Sequence, residues 1–159
     1  MSVDISFELI TEDDIARLTP VMTRAFDDDS RKHLGVEKGG PEGYNNGDFF
    51  RKWLFGYNES TGYKMVLSDR IIGAFIVWIH HHGHNVLGNI FVDPDYQDQG
   101  AGTRAWTFIE QTYPNTKSWS LDTPRWATKN HHFYEHNCGF TKTGENEQEF
   151  HYRKNIGIM

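Results

Sequence analysis

One cysteine, Cys138, is all the thiol in this 159-residue chain, so no intramolecular disulfide can form, and that absence fits a reducing cytosol. Long apolar runs are missing as well: residues 71–79, with a glycine inside, fall well short of the ~20 residues that cross a bilayer. The N-terminus shows no basic stretch followed by an apolar one, so no secretory leader is expected. Basic side chains are outnumbered, 16 Lys and Arg against 22 Asp and Glu, for a formal net charge of −6. A general nucleic-acid or anionic-membrane binder needs a basic face, which this balance argues against. One small anion in a local site is untouched by that argument. Repeats, low-complexity tracts and Pro/Ser-rich linkers are absent too. The expectation is a soluble cytoplasmic protein with a single domain over residues 1–159 and no nucleic-acid or membrane partner.

What is present is bulk for a core. Hydrophobic residues make up 37% and aromatic residues 14%, which reads as globular, not disordered. A chain of this length buries about two-thirds of its unfolded surface and can fold without metals or disulfides. Residues 5–10 alternate as a strand does. Thr11-Glu12-Asp13-Asp14 then forms a capping box ahead of Ile15, Leu18, Met22, Ala25 and Phe26 at helical spacing. Pro20 sits inside that helix and is expected to kink or break it. From residue 27 to residue 62 the pattern weakens: Asp27-Asp28-Asp29 opens a polar stretch, and Phe49, Phe50, Trp53 and Leu54 suggest a short amphipathic helix. This segment either covers a substrate or packs irregularly.

Beyond it, residues 65–67 and 71–79 read as a hairpin whose second strand, apolar on both faces, is central. A turn over 80–85 leads to a strand over 86–92. A helix follows over 100–113, with Ala101, Ala105, Phe108, Ile109 and Thr112 inward and Pro114 as its stop. A strand over 118–122, a helix over 130–137 and a strand pair over 140–143 and 149–154 complete the chain. That order predicts a mixed α/β sheet, not a regular doubly wound one.

The chemistry concentrates where the 86–92 strand ends and the next helix begins: Asp93-Pro94-Asp95-Tyr96-Gln97-Asp98-Gln99-Gly100-Ala101-Gly102. Amides at a helix start lack intrahelical partners, and the macrodipole adds partial positive charge there. Glycines let that backbone approach an anion closely, so the loop predicts a phosphate or pyrophosphate cradle. No Gly-Lys-Ser/Thr follows, which excludes a Walker loop, and the dinucleotide-binding glycine spacing is not met.

At these residues the chain resembles the GNAT superfamily of acetyltransferases. Gln97-Asp98-Gln99-Gly100-Ala101-Gly102 is similar to its Q/R-x-x-G-x-G/A loop, and Asn130-His131-His132-Phe133-Tyr134-Glu135, followed by Gly139-Phe140, to its N-x-x-x-Y-E…G-F segment. Three residues separate Glu135 from Gly139 where the pattern has two, which implies a bulge at that helix end. The resemblance implies a central mixed, mostly antiparallel sheet flanked by helices, binding acetyl-CoA as co-substrate. It implies that amides of Gln99, Gly100, Ala101, Gly102 and Thr103 hold the pyrophosphate, with Gln97 in the same loop. Main-chain groups of Phe91 and Val92 would pair with the pantetheine arm in a splay between parallel strands. Tyr134 would protonate the leaving thiolate, and Asn130 would touch the coenzyme or cap its helix, with capping the simpler role. The implied reaction is acetyl transfer to a primary amine of a small molecule or peptide. A non-catalytic acetyl-CoA sensor or interaction module is the alternative.

The acceptor side offers polar candidates but no single base: Asn89, Asp93, Asp122 and Asp27 to Asp29. His80-His81-His82-Gly83-His84 looks like a metal tract, yet alternate strand residues face opposite ways, so a solvated turn and no metal is the expectation. Cys138 reads as a packed small residue, and Arg104, Arg125 and Lys129 are the cations near the mouth in sequence. Trp119 and Trp126 are core, pocket or homodimer-interface residues.

Overall fold

The computed structural model describes residues 4–156. The alternating N-terminal residues form β1 (Ser6–Leu9), an edge strand antiparallel to β2 (Ser60–Leu67). Thr11 then starts the helical segment as its spacing predicts: its N–H donates to Asp14 Oδ2 at 2.8 Å. Burial alone would raise the Asp14 carboxyl. Hydrogen bonds from Lys64, the Thr11 amide and Arg17 outweigh that and hold it at about 2. Lys64 lies on β2, so this ion pair, 2.8 Å long, fixes the helix start to the sheet.

The helix α1 (Ile15–Leu34) corrects the expected break at Pro20, because it runs unbroken through it. Proline removes the bond to the Ala16 carbonyl, but Ala16 and Pro20 both lie on the exposed face, where that carbonyl is open to water. The opposite face buries Leu18, Val21, Met22 and Ala25, which outweighs a cost of about 3 kcal/mol. Asp27 to Asp29, where the sequence pattern weakens into a polar stretch, therefore stand in the helix. The helix ends at Gly35 with φ 69°, a left-handed stop. Residues 36–47 are tied back by Tyr44 Oη donating to Asp27 Oδ1 at 2.6 Å and by the Gly39 amide on the same oxygen. α2 (Asp48–Phe50) continues into a π turn, Arg51–Phe55, and buries Phe49, Phe50 and Leu54 as an irregular packing element.

β2 and β3 (Arg70–Trp78) form the expected hairpin around Ser68 and Asp69, both at positive φ as a two-residue turn requires. β3 is buried on both faces. β4 (His84–Val92) pairs with it antiparallel, with Gly88 as an extra residue between the Ile76–Asn89 and Val77–Leu87 rungs. α3 (Ala101–Thr112) buries Ala101, Ala105, Trp106 and Ile109; Thr112, expected inward, is exposed, and Trp106 takes the inner place. β5 (Ser118–Pro124), α4 (Thr128–His132) with its π turn Phe133–Asn137, β6 (Thr141–Glu145) and β7 (Glu149–Asn155) complete the chain.

The sheet order is β1-β2-β3-β4-β5-β7-β6, and only β4 and β5 run parallel. Their ladder is short, His84–Val86 against Ser118–Ser120, after which the two strands part. One core lies between the sheet, α3 and the α4 segment and includes Trp119; the other lies between the opposite face and α1 and α2. No helix of the described residues is long and apolar enough to cross a membrane.

Candidate active site

The parted strands open a cleft of about 310 Å³ between the α3 start, the far half of β4, β5 and the α4 segment, roofed by α1. Of the residues marked out by the sequence, Phe91, Val92, Gln97, Gly100, Ala101, Gly102, Thr103, Asn130 and Tyr134 all line it, and Gln99 does not.

Gly100 is the N-cap of α3 at φ 83°, a left-handed conformation that glycine adopts freely. The first helical bond runs from the Arg104 amide to the Gly100 carbonyl, so the amides of Ala101, Gly102 and Thr103 have no intrahelical partner. A Cβ on Gly100 would meet nothing within 4 Å, so the space before these amides is open. Gly102 is small for another reason: a Cβ there would lie 3.0 Å from the Phe133 ring, so α3 and the α4 segment touch at this point. Asn137 Nδ2 donates to Thr103 Oγ1 at 3.0 Å and fastens the same contact.

On β4, the Asp93 amide donates to the Ile72 carbonyl on β3 at 2.7 Å. Successive residues of an antiparallel strand turn their polar groups to opposite sides. Phe91 therefore faces β3 with its backbone, while Ile90 and Val92 face the open edge. Ile90 was missed by sequence reasoning, since the strand's hydrogen-bonding parity needs the partner's register. Gln97 spans this edge: its Nε2 donates to the Val92 carbonyl at 3.0 Å and its Oε1 accepts from Lys129 Nζ at 2.9 Å. Lys129 lines the cleft, whereas Arg104 is not among its lining residues and Arg125 turns to Glu145 at 2.7 Å.

The one-residue excess after Glu135 is absorbed by the π turn, in which the Cys138 amide donates to the Phe133 carbonyl, five residues back, at 3.2 Å. Tyr134 sits in that turn, buried, with its ring edge-on to Phe140. Burial pushes its hydroxyl well above the ordinary phenol value, and Cys138, Asp29 and Tyr152 push the same way. It stays protonated at neutral pH and can donate. The expected helix cap at Asn130 is overturned: the helix begins earlier, at Thr128 with Ala127 as N-cap, because the Pro124 carbonyl takes the Ala127 amide in a turn first. Asn130 is left inside the helix, on the cleft.

Most acidic candidates have structural partners. Asp27 holds Tyr44 and Gly39, Asp28 pairs with Lys32 at 2.9 Å, and Asp122, on the cleft, accepts from His151 Nδ1 at 2.6 Å. Asp93 is fully buried and pairs with Arg24 at 2.5 Å. Asp29 and Asn89 line the cleft. Cys138 is buried, which pushes its thiol up to about 12, as a packing residue requires and a nucleophile does not. No group of three or more His, Cys, Asp or Glu among the described residues is placed to hold a metal. His80 Nδ1 meets Glu59 at 2.7 Å and His84 Nδ1 meets Ser118 Oγ at 2.7 Å.

A sequence model described as Acetyltransferase (GNAT) family matches residues 22–140. YrkN, an uncharacterized protein of Bacillus subtilis, is 37% identical over 79 residues, which is 49% of this chain. The chain spans 43% of the length of that curated relative. An acetyltransferase structure from Thermus thermophilus superposes with a TM-score of 0.80 at 14% identity, over 98% of this chain and 100% of that one. The PaiA N-acetyltransferase of Thermoplasma acidophilum, in complex with coenzyme A, gives 0.76 at 15% identity, over 96% and 99%. Identities this low speak to the fold alone; the sequence match from α1 to Phe140 carries the assignment, and the chain belongs to the GNAT family of acetyltransferases.

Proposed function

We propose that the protein transfers the acetyl group of acetyl-CoA to a primary amine of a small molecule or peptide, by direct attack in a ternary complex. The observation that carries this reading is the meeting, in one cleft, of three free amides at the start of α3, the open edge of β4 and the protonated Tyr134 hydroxyl. The open space over Gly100 suits a pyrophosphate, and Val92 and Ile90 offer strand-like partners to an amide-bearing arm. PaiA, of like fold, is a coenzyme A complex, which supports the same ligand here.

The coenzyme would supply an acetyl group activated as a thioester. Amides 101–103 would hold its phosphates without any counted positive charge, and Lys129 lines the same cleft. The amine nitrogen bonds to the carbonyl carbon as the carbon–sulfur bond breaks. Tyr134 gives its proton to the departing sulfur and regains one from the nitrogen. Calorimetry with acetyl-CoA, then thiol release across an amine panel, tests the reading. Binding with release is expected; binding without release for every amine points to a coenzyme-binding sensor, and no binding overturns the assignment.

A further inference from the structure

On the side of α1 the cleft is lined by Ala25, Phe26 and Asp29, and Asn89 on β4 lines it as well. Asn89 pairs with Ile76, and Ile76 belongs to the α1-side core, as does Phe91 two residues on. Asn89 therefore projects on the face that α1 covers. Its Oδ1 is buried with no hydrogen-bond partner among the described residues. An acceptor left so costs about 1–3 kcal/mol, which an incoming N–H would recover. Asp29 differs from its acidic neighbours in the same way. Asp27, Asp28, Asp93 and Asp122 all have ion-pair or hydrogen-bond partners, whereas no hydrogen bond enters the influences on Asp29, only burial and charges at a distance.

We propose that Asp29 binds the ammonium of the acceptor and takes its first proton, with Asn89 Oδ1 accepting a second N–H, so that the site selects alkyl primary amines over arylamines. This rests on the acetyl-transfer reading. The ammonium N–H proton passes to the Asp29 carboxylate, leaving a neutral amine whose lone pair forms the C–N bond; the proton then leaves for water through the open cleft. The C–S bond breaks as described for Tyr134, and the second nitrogen proton restores that hydroxyl.

The groups facing Asp29 are Asp28, Lys32 and His33 from α1, Lys129 from α4 and Tyr134 from its π turn. Burial, with Asp28, raises the Asp29 carboxyl against the pull of His33, Lys129 and Lys32. A carboxylate so placed accepts a proton more readily than a free one, and its action as a base is lost as pH falls through its raised value.

The test compares wild type with Asp29→Asn and Asn89→Leu on an alkylamine and an arylamine, the latter already neutral at pH 7. For Asp29→Asn, kcat/KM with the alkylamine is expected to fall about 100-fold or more, the usual worth of a positioned base, and clearly less with the arylamine. The acid limb of the pH profile should shift with it. Asn89→Leu is expected to raise the alkylamine KM about tenfold with little change in kcat. Calorimetry with acetyl-CoA reports folding and the coenzyme half separately. Equal losses on both amines, or none, in a variant that still binds acetyl-CoA overturn the proposal. If wild type binds no acetyl-CoA, it is the acetyl-transfer reading that fails.

Discussion

The wall of the cleft formed by the start of α3 and the open edge of β4 is made of backbone, whereas the wall supplied by α1 is made of side chains. On the first, the polar groups are the amides of residues 101–103 and the main chain of Ile90 and Val92; on the second they are Asp29 of α1 and the Asn89 side chain, which β4 turns toward α1. Backbone is present whatever the side chain, so the first wall tolerates truncation and is damaged chiefly by added bulk or charge. The second is erased by a single exchange of oxygen for nitrogen or carbon. On the proposed reading, a side-chain substitution disturbs the acceptor wall far more readily than the coenzyme wall.

Three substitutions probe this contrast. The largest effect is expected from Gly100→Glu, which forces a side chain into φ 83° and places a carboxylate before the free amides. Like charges at short range cost about 4 kcal/mol near a protein surface, so acetyl-CoA affinity measured by calorimetry should fall roughly a thousandfold. A small change would show that the backbone wall does not hold the phosphates. Tyr134→Phe stands between the walls: stopped-flow or steady-state assays should find kcat reduced about 100-fold with coenzyme affinity nearly unchanged. Equal activity in both proteins removes Tyr134 from the mechanism. The smallest effect concerns how α1 is held. Asp14 has a carboxyl held at about 2 against an ordinary 3.8, a difference of about 2 kcal/mol by linkage. Asp14→Asn should lower the melting temperature at pH 7 by about 4–8 °C. Because the folded value is depressed, the advantage of wild type is complete above pH 3.8 and disappears as pH falls through 2. A difference that persists below pH 2 would mean that the Lys64 pair is not what secures α1.

The two walls were also unequally legible. The glycine loop, the strand before it and the helix after it are local patterns, so residues 90–103 could be read directly. Even the π turn at Tyr134 left a trace, one residue too many before Gly139. Three things escaped because they depend on distant contacts. Pro20 reads as a break until the buried face of α1 is known to lie opposite it. Phe91 and Ile90 cannot be told apart as edge donors without the register to β3. Asp29 looks like its two neighbours until Tyr44 and Lys32 are seen to occupy those.

The shortness of the parallel ladder has a mechanical consequence. The sheet consists of two antiparallel slabs, β1 to β4 and β5 to β6, sewn together along three residues at one end. That seam is reinforced at its end and just beyond, where His84 meets Ser118, Asn85 Nδ2 donates to Thr116 at 2.9 Å and the Gly83 carbonyl accepts from the Lys117 amide at 2.7 Å. The histidine-bearing turn thus lies at the closed end of the wedge between the slabs. At the other end packing and not rungs holds the slabs: the core under α3 runs from Phe75 on one to Trp119 and Tyr152 on the other, so side chains set the width of the gap.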